Sequence, residues 1–236
     1  MLLEVCVEDI AGLKAAVEGG GDRIELCSAL PLGGLTPSAG LMAAAAKMPV
    51  PVYAIIRPRA GGFVYSADEL DIMKQDIDTA RAVGLPGVVL GASLPDGRLD
   101  VDTLTALTAH AEGLGKTLHR AFDLVPDVAE AVDIAISLGF ERILTSGGAK
   151  TAGEGLAVLE QAIAAAAGRI SIMPGSGVTL AKVGQLWPSL QISEIHASCS
   201  APVSEIDERA IALGFSAPSA RRTDAATVKA LKAYFA

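Results

Sequence analysis

Apolar residues in this chain gather into eight short runs: LLEVCV, DRIELC, VYAIIRPR, GVVLG, TLHRAFD, RILTSG, ISIMPGSG and EIHASC. Most of these runs end in a charged or catalysis-capable residue. Between them lie alanine-rich segments whose apolar positions recur with helical spacing. Apolar strands alternating with helices predict a parallel sheet covered on both faces. Eight such units, spaced roughly 20–35 residues from strand to strand as βαβ units require, predict a closed (β/α)8 TIM barrel. In that architecture the active site lies at the C-terminal ends of the strands.

Local signals place the helices. Asp9 caps a helix through Ala15, Ala16 and Val17 that stops at Gly19, Gly20 and Gly21. A second starts at Thr36 and Pro37, with Thr36 as cap, and runs to Lys47. Ser66 and Glu69 form a capping box before Leu70, Met73, Ile77 and Ala80. Further helices are predicted over about 102–112, 127–138, 155–167 and 179–186, and from Thr223 and Asp224 to Phe235. The stretch from Ser200 to Arg222 carries the weakest signals. It reads as a long loop after the eighth strand, with a helical turn around Ser204–Leu213. Residues 1–236 thus read as one TIM-barrel domain.

Strand side chains alternate between faces. Leu3, Val5 and Val7 share one face of the first strand, and Glu4 and Cys6 share the other. If the apolar set meets the helices, the interior holds Arg23, Glu25 and Cys27 on the second strand and Tyr53, Ile55 and Arg57 on the third. It also holds Thr117 and His119 on the fifth strand, and Glu194, His196 and Ser198 on the eighth. Glu4, Glu25, Arg57, His119 and His196 would then gather at or near one end. Buried charges are costly unless paired. Either they form a structural ion-pair network or they meet a ligand.

Two glycine-rich strand exits suggest an anion. Ser146 and Gly147 follow the sixth strand, and Gly175 and Gly177 follow the seventh. Backbone N–H groups freed there can cradle phosphate or carboxylate. Arg57 and Arg59 add guanidinium groups suited to an acidic ligand. The cysteines form a separate group. Cys6, Cys27 and Cys199 end or follow strands one, two and eight, which are neighbours in a closed barrel, and His196 is near in sequence. Thiolate and imidazole suit Cu(I) or Zn, although a free buried cysteine also serves as a small hydrophobe.

Bulk properties narrow the classes. The 236 residues are 51% hydrophobic and 19% charged, enough for one large core, and the net charge is −8. With Arg221 and Arg222 an isolated basic pair, no stripe suits a nucleic-acid backbone. No run reaches the ~20 residues needed to span a bilayer, and MLLEVCV lacks the marks of an export signal. A cytoplasmic protein is expected. Its three cysteines are expected as free thiols.

Taken together, LLEVC at 2–6, GDRIELC at 21–27, GGLTPS at 33–38, IIRPR at 55–59, HRAFD at 119–123, LTSG at 144–147 and IHAS at 195–198 resemble the CutC family of copper homeostasis proteins. The resemblance covers nearly the whole chain and is least after Ser200. It implies a TIM barrel, a cytoplasmic location, a homo-oligomer and Cu(I) handling, with Cys6 and Cys27 as the thiol ligands and no organic cofactor. The family's site falls on Glu4, Glu25, Cys27, Arg57, Arg59, His119, Arg120, Asp123, Ser146 and His196. These Glu, Arg, His and Asp residues also suit an acid/base enzyme, an isomerase, lyase or hydrolase, acting on a small phosphorylated or carboxylated metabolite. In that alternative Glu25, His119 or Asp123 moves a proton. Arg57, Arg59, Arg120, Glu4, His196 and the two glycine loops hold the ligand.

Overall fold

The structure is a computed structural model and describes residues 1–203 and 207–235. Eight strands, β1 (Leu2–Val7), β2 (Arg23–Leu26), β3 (Val52–Ile55), β4 (Gly87–Leu90), β5 (Gly115–Leu118), β6 (Arg142–Thr145), β7 (Ser171–Pro174) and β8 (Glu194–Ala197), form one sheet ordered 7-6-5-4-3-2-1-8. Every ladder is parallel. β7 and β8 touch and nearly close the ring, without a ladder among the described residues. Helices α1 (Ile10–Glu18), α2 (Ala39–Ala45), α3 (Ala67–Ala82), α4 (Val101–His110), α5 (Val128–Ser137) and α6 (Leu156–Ala166) follow the first six strands.

Caps fix where these helices begin. Asp9 and the Ser66–Glu69 capping box act as expected, and Asp127 caps α5; each cap contributes about 1 kcal/mol. Two starts differ. Ser38 caps α2, because Thr36 Oγ1 instead accepts the Arg57 N–H at 2.9 Å. Asp100 caps α4. The helix expected over 179–186 is a short 3-10 turn, Val183–Gln185. Gly184 lies in its middle and Pro188 just beyond, and both residue types disfavour helix. The loop after β8 contains two strands that sequence reasoning missed and, between them, the helical turn it expected. β9 (Ser200–Pro202) pairs antiparallel with β10 (Arg221–Thr223), and α7 (Glu208–Ala212) lies between them, ahead of α8 (Ala225–Ala233). The start of the helical turn expected around Ser204 lies outside the described residues.

The alternation of faces places the core. Leu3, Val5, Val7, Ile24 and Leu26 pack outward with Leu13, Met73, Ile77, Leu104 and Leu107 of the helices, all fully buried. Inside the barrel Cys27, Tyr53, Ile55 and Val89 form a second, smaller cluster. The Tyr53 ring reaches across the barrel over Gly87 and Gly115. A Cβ on Gly115 would lie 2.1 Å from Tyr53 Oη.

The N-terminal half of the interior is ionic. Arg23 and Glu194 open β2 and β8, and the Arg23 guanidinium joins Glu4 to Glu194. Arg142, which opens β6, meets Glu194 at 3.1 Å, Glu141 at 2.9 Å and Thr117 Oγ1 at 2.9 Å. Tyr53 Oη donates to Glu141 at 2.9 Å, and Arg142 stacks 5.0 Å from its ring. This plug lies at the end away from the C-terminal mouth of the strands, so it supports the barrel rather than a ligand. The network reading of the interior charges therefore holds for the lower tier.

Candidate functional site at the barrel mouth

Register brings the polar side chains of β1, β2 and β8 together above the plug. Glu4 pairs with Arg23 on one side and His196 on the other, and Cys6 pairs with Glu25. The Cys6 sulfur, a Glu25 carboxylate oxygen and an imidazole nitrogen of His196 all lie within 4.8 Å of one another, and all three residues are buried. His196 Nδ1 bonds Glu4 Oε1 at 2.8 Å, and its Nε2 lies 3.7 Å from Glu25 Oε2. Cys27 donates to Glu25 Oε2 at 3.6 Å.

Charges in this cluster depend on one another. Burial alone would raise the Glu4 pKa, but the His196 hydrogen bond and the Arg23 charge outweigh it and hold Glu4 at about 2. Burial alone would likewise deprotonate His196. Cys6, Glu4 and Glu25 around it instead hold its pKa well above the ordinary imidazole value. Burial, with the Glu4 charge adding to it, raises Glu25. Burial and the Glu25 charge raise the Cys27 thiol well above its usual range, so Cys27 rests as a neutral thiol. Cys199 is raised to about 12 by burial and by Cys6. Cys199 sits in the outer core, in the left-handed region at φ 46°, and outside the Cys6–Glu25–His196 cluster.

A cavity of about 230 Å³ opens over the cluster. Its walls include Cys6, Glu25, His196, Arg57, His119 and Arg120, with Leu30, Ile55, Phe63 and Leu144. Arg57 and His119 stand just past the ends of β3 and β5. The Arg57 Nη1 donates to the carbonyls of Leu32 and Gly34, both at 2.9 Å, and Nη2 donates to Gly61 at 2.7 Å. This arginine thus ties two mouth loops together, and only Nε remains without a partner among the described residues. His119 is 3% exposed. Its Nδ1 accepts the Ala121 N–H at 3.1 Å, and its Nε2 has no partner among the described residues. Burial, reinforced by the Arg57 charge, lowers its pKa to about 3, so the ring is neutral at physiological pH. Gly91 makes room for this ring, because a Cβ there would lie 2.5 Å from His119 Nδ1.

The remaining candidates have partners within the chain. Asp123 accepts from Arg120 Nε at 2.6 Å, Thr145 Oγ1 at 2.5 Å, Ser146 N at 3.0 Å and Gly148 N at 3.1 Å. The anion cradle after β6 is therefore filled by the protein's own carboxylate. Arg120 Nη2 also donates to Ser146 Oγ at 2.7 Å. The Gly147 N–H goes to Thr145 Oγ1 and the Gly175 N–H to the Thr145 carbonyl, each at 2.9 Å. Gly147, at φ +72°, abuts the Gly155 carbonyl, and Gly177 lies against Thr151. Arg59 turns away from the cavity, onto Glu69 at the start of α3 and the carbonyls of Gly62 and Val64. Ser198, expected inside, lies one residue past the end of β8 and is exposed. Sequence reasoning missed Phe63, whose ring packs on both Arg57 and His119. It sits in an irregular loop, where no periodicity marks a facing residue.

These features define a (β/α)8-barrel protein with a small cavity, lined by both ionisable and apolar side chains, at the strands' C-terminal mouth. The chain belongs to the CutC family, which it matches over residues 1–201. A family protein CutC from Sinorhizobium medicae is 65% identical over 99% of this chain and 95% of its own length. One from Caulobacter vibrioides is 52% identical over 99% and 96%. A crystal structure from Streptococcus agalactiae, described as that of a candidate copper homeostasis protein CutC, superposes with a TM-score of 0.80 at 32% identity. It covers 84% of this chain and 98% of that one. No helix among the described residues is long and apolar enough to cross a membrane.

Proposed function

We propose that this protein acts in copper homeostasis by holding Cu(I) at the mouth of the barrel. The observation that carries this reading is the buried convergence of Cys6, His196 and Glu25 within 4.8 Å. Thiolate and imidazole are ligand types that suit Cu(I), whereas a carboxylate is a hard oxygen donor. Cys6 and His196 therefore supply the first two ligands. Cys27, hydrogen-bonded to Glu25, is the neighbouring thiol that completes the set. Because both Cys27 and His196 are held protonated, loading releases a proton from each and tightens as pH rises. Three free cysteines suit a reducing compartment, so we assign the protein to the cytoplasm. Self-association into a homo-oligomer, also part of this reading, is checked by sedimentation.

Anaerobic Cu(I) titration of the reduced protein against a competing chelator tests the site. Saturable binding should weaken at least about tenfold in Cys6→Ser and in Cys27→Ala. Unchanged affinity in both variants would overturn the thiolate site.

The unpartnered His119 Nε2 favours a second reading. The same cavity would serve an acid/base enzyme acting on a small anionic metabolite, with Glu25 and His119 as the groups free to handle a proton or a developing charge. Asp123, already accepting from four donors, would order the β6 loop in that enzyme. An anionic metabolite should then raise the melting temperature, and Arg57→Ala should abolish the rise. A panel of sugar phosphates and keto acids without effect would refute it.

A further inference from the structure

Two buried N–H groups at the mouth have no acceptor among the described residues, and both belong to residues that line one cavity. Because His119 Nδ1 accepts the Ala121 N–H, the ring proton of the neutral imidazole sits on Nε2. That N–H has no acceptor among the described residues. The Arg57 Nε–H is in the same position, while its Nη groups are held on three carbonyls. Native proteins pair such groups with few exceptions, and an exception in a cavity points to a missing acceptor.

We propose that His119 Nε2–H and Arg57 Nε–H form a subsite for the carboxylate of a small organic acid, with the Phe63 ring as its cover. This rests on the reading of the cavity as an anion site and specifies the ligand. Two N–H groups match the two oxygens of one carboxylate. A phosphate brings more oxygens and a second negative charge, into a cavity that Glu25 also lines. The remaining wall, Leu30, Ile55 and Leu144, is apolar and suits a short carbon chain. At about 230 Å³ the cavity has room for a small organic acid. Phe63 lies 5.1 Å from the Arg57 guanidinium and 4.7 Å from the His119 ring. Its carbonyl is anchored to the Ser93 N–H, so the ring can rotate aside while the backbone stays. A carboxylate bound there directs the rest of the acid toward Cys6 and His196.

The test uses full-length protein labelled with 15N-histidine, followed by NMR and thermal melting during titration with pyruvate, glyoxylate, lactate, pyruvamide and inorganic phosphate. At least one carboxylate should shift the His119 Nε2–H resonance and raise the melting temperature, and pyruvamide should do neither. His119→Phe should lose at least about tenfold in affinity for that acid while keeping the wild-type circular dichroism. If that variant fails to fold, the resonance of the wild-type protein still decides. An acid that binds without moving the His119 signal, or phosphate alone raising the melting temperature, would overturn this subsite and leave the anion reading standing. If no compound binds, both fall, and water fills the place of the acceptor.

Discussion

Acidifying the protein from about pH 7 to about pH 4.5 should remove about 2.5 kcal/mol of stability through His119 alone. In the unfolded chain this histidine takes a proton at its ordinary value of 6.5, whereas in the fold it resists protonation down to about 3. Its contribution is therefore fully present above 6.5 and is lost as pH falls toward 3. In that window the unfolded state binds one more proton than the folded state, at about 1.4 kcal/mol per pH unit. Urea unfolding of wild type and His119→Gln across this range isolates the effect. The variant loses the acceptor for the Ala121 N–H at every pH, which offsets its curve without tilting it. Glu4, Glu25 and His196 titrate in both proteins and cancel in the difference. The gap between the curves should narrow by about 2.5 kcal/mol at the acid end. Parallel curves would refute the assignment of a buried, neutral His119.

Three further outcomes follow from the contacts. Arg23→Met removes the guanidinium that joins Glu4 to Glu194 inside the barrel, leaving Glu4 only His196, and should cost about 3–5 kcal/mol in chemical denaturation. Adding Glu4→Gln should recover part of that loss, and simple additivity would argue against a coupled network. His196 has the opposite pH sign to His119. Its raised pKa contributes stability that is complete below 6.5 and lost as pH climbs through the folded value, so His196→Gln should flatten the alkaline limb of the stability curve. Asp123→Asn replaces one of the two carboxylate oxygens that accept from the β6 loop and removes the charge opposite Arg120. It should cost about 1–3 kcal/mol and speed proteolysis around Ser146–Ala149; an unchanged cleavage rate would show that the loop is held by other contacts.

Much of the architecture is written locally. A period of two in LLEVCV and DRIEL assigns Leu3, Val5, Val7, Ile24 and Leu26 to the helix side and Glu4, Cys6, Glu25 and Cys27 to the interior, and the barrel follows that division. Capping chemistry places α1, α3 and α5, because a cap depends on its own next three residues. Where two local signals compete, as at Thr36 and Ser38, a distant partner decides: Arg57 takes Thr36 and leaves the cap to Ser38. The same holds for partnerships across the ring. Periodicity says that Glu4 and His196 face inward, but ring closure, which lays β8 beside β1, makes them a hydrogen-bonded pair 192 residues apart. Alternation also places Arg23 and Glu194 inside, yet which end they occupy follows from their place at the start of their strands. Glycine-rich exits after β6 and β7 advertise free N–H groups, and the tertiary structure alone shows that Asp123 has already filled the first. Sequence by itself determined the faces, because side-chain direction is a property of the local backbone. Only the tertiary structure decided which donors remain unpaired, since satisfying a hydrogen bond depends on whatever the rest of the chain brings within about 3 Å.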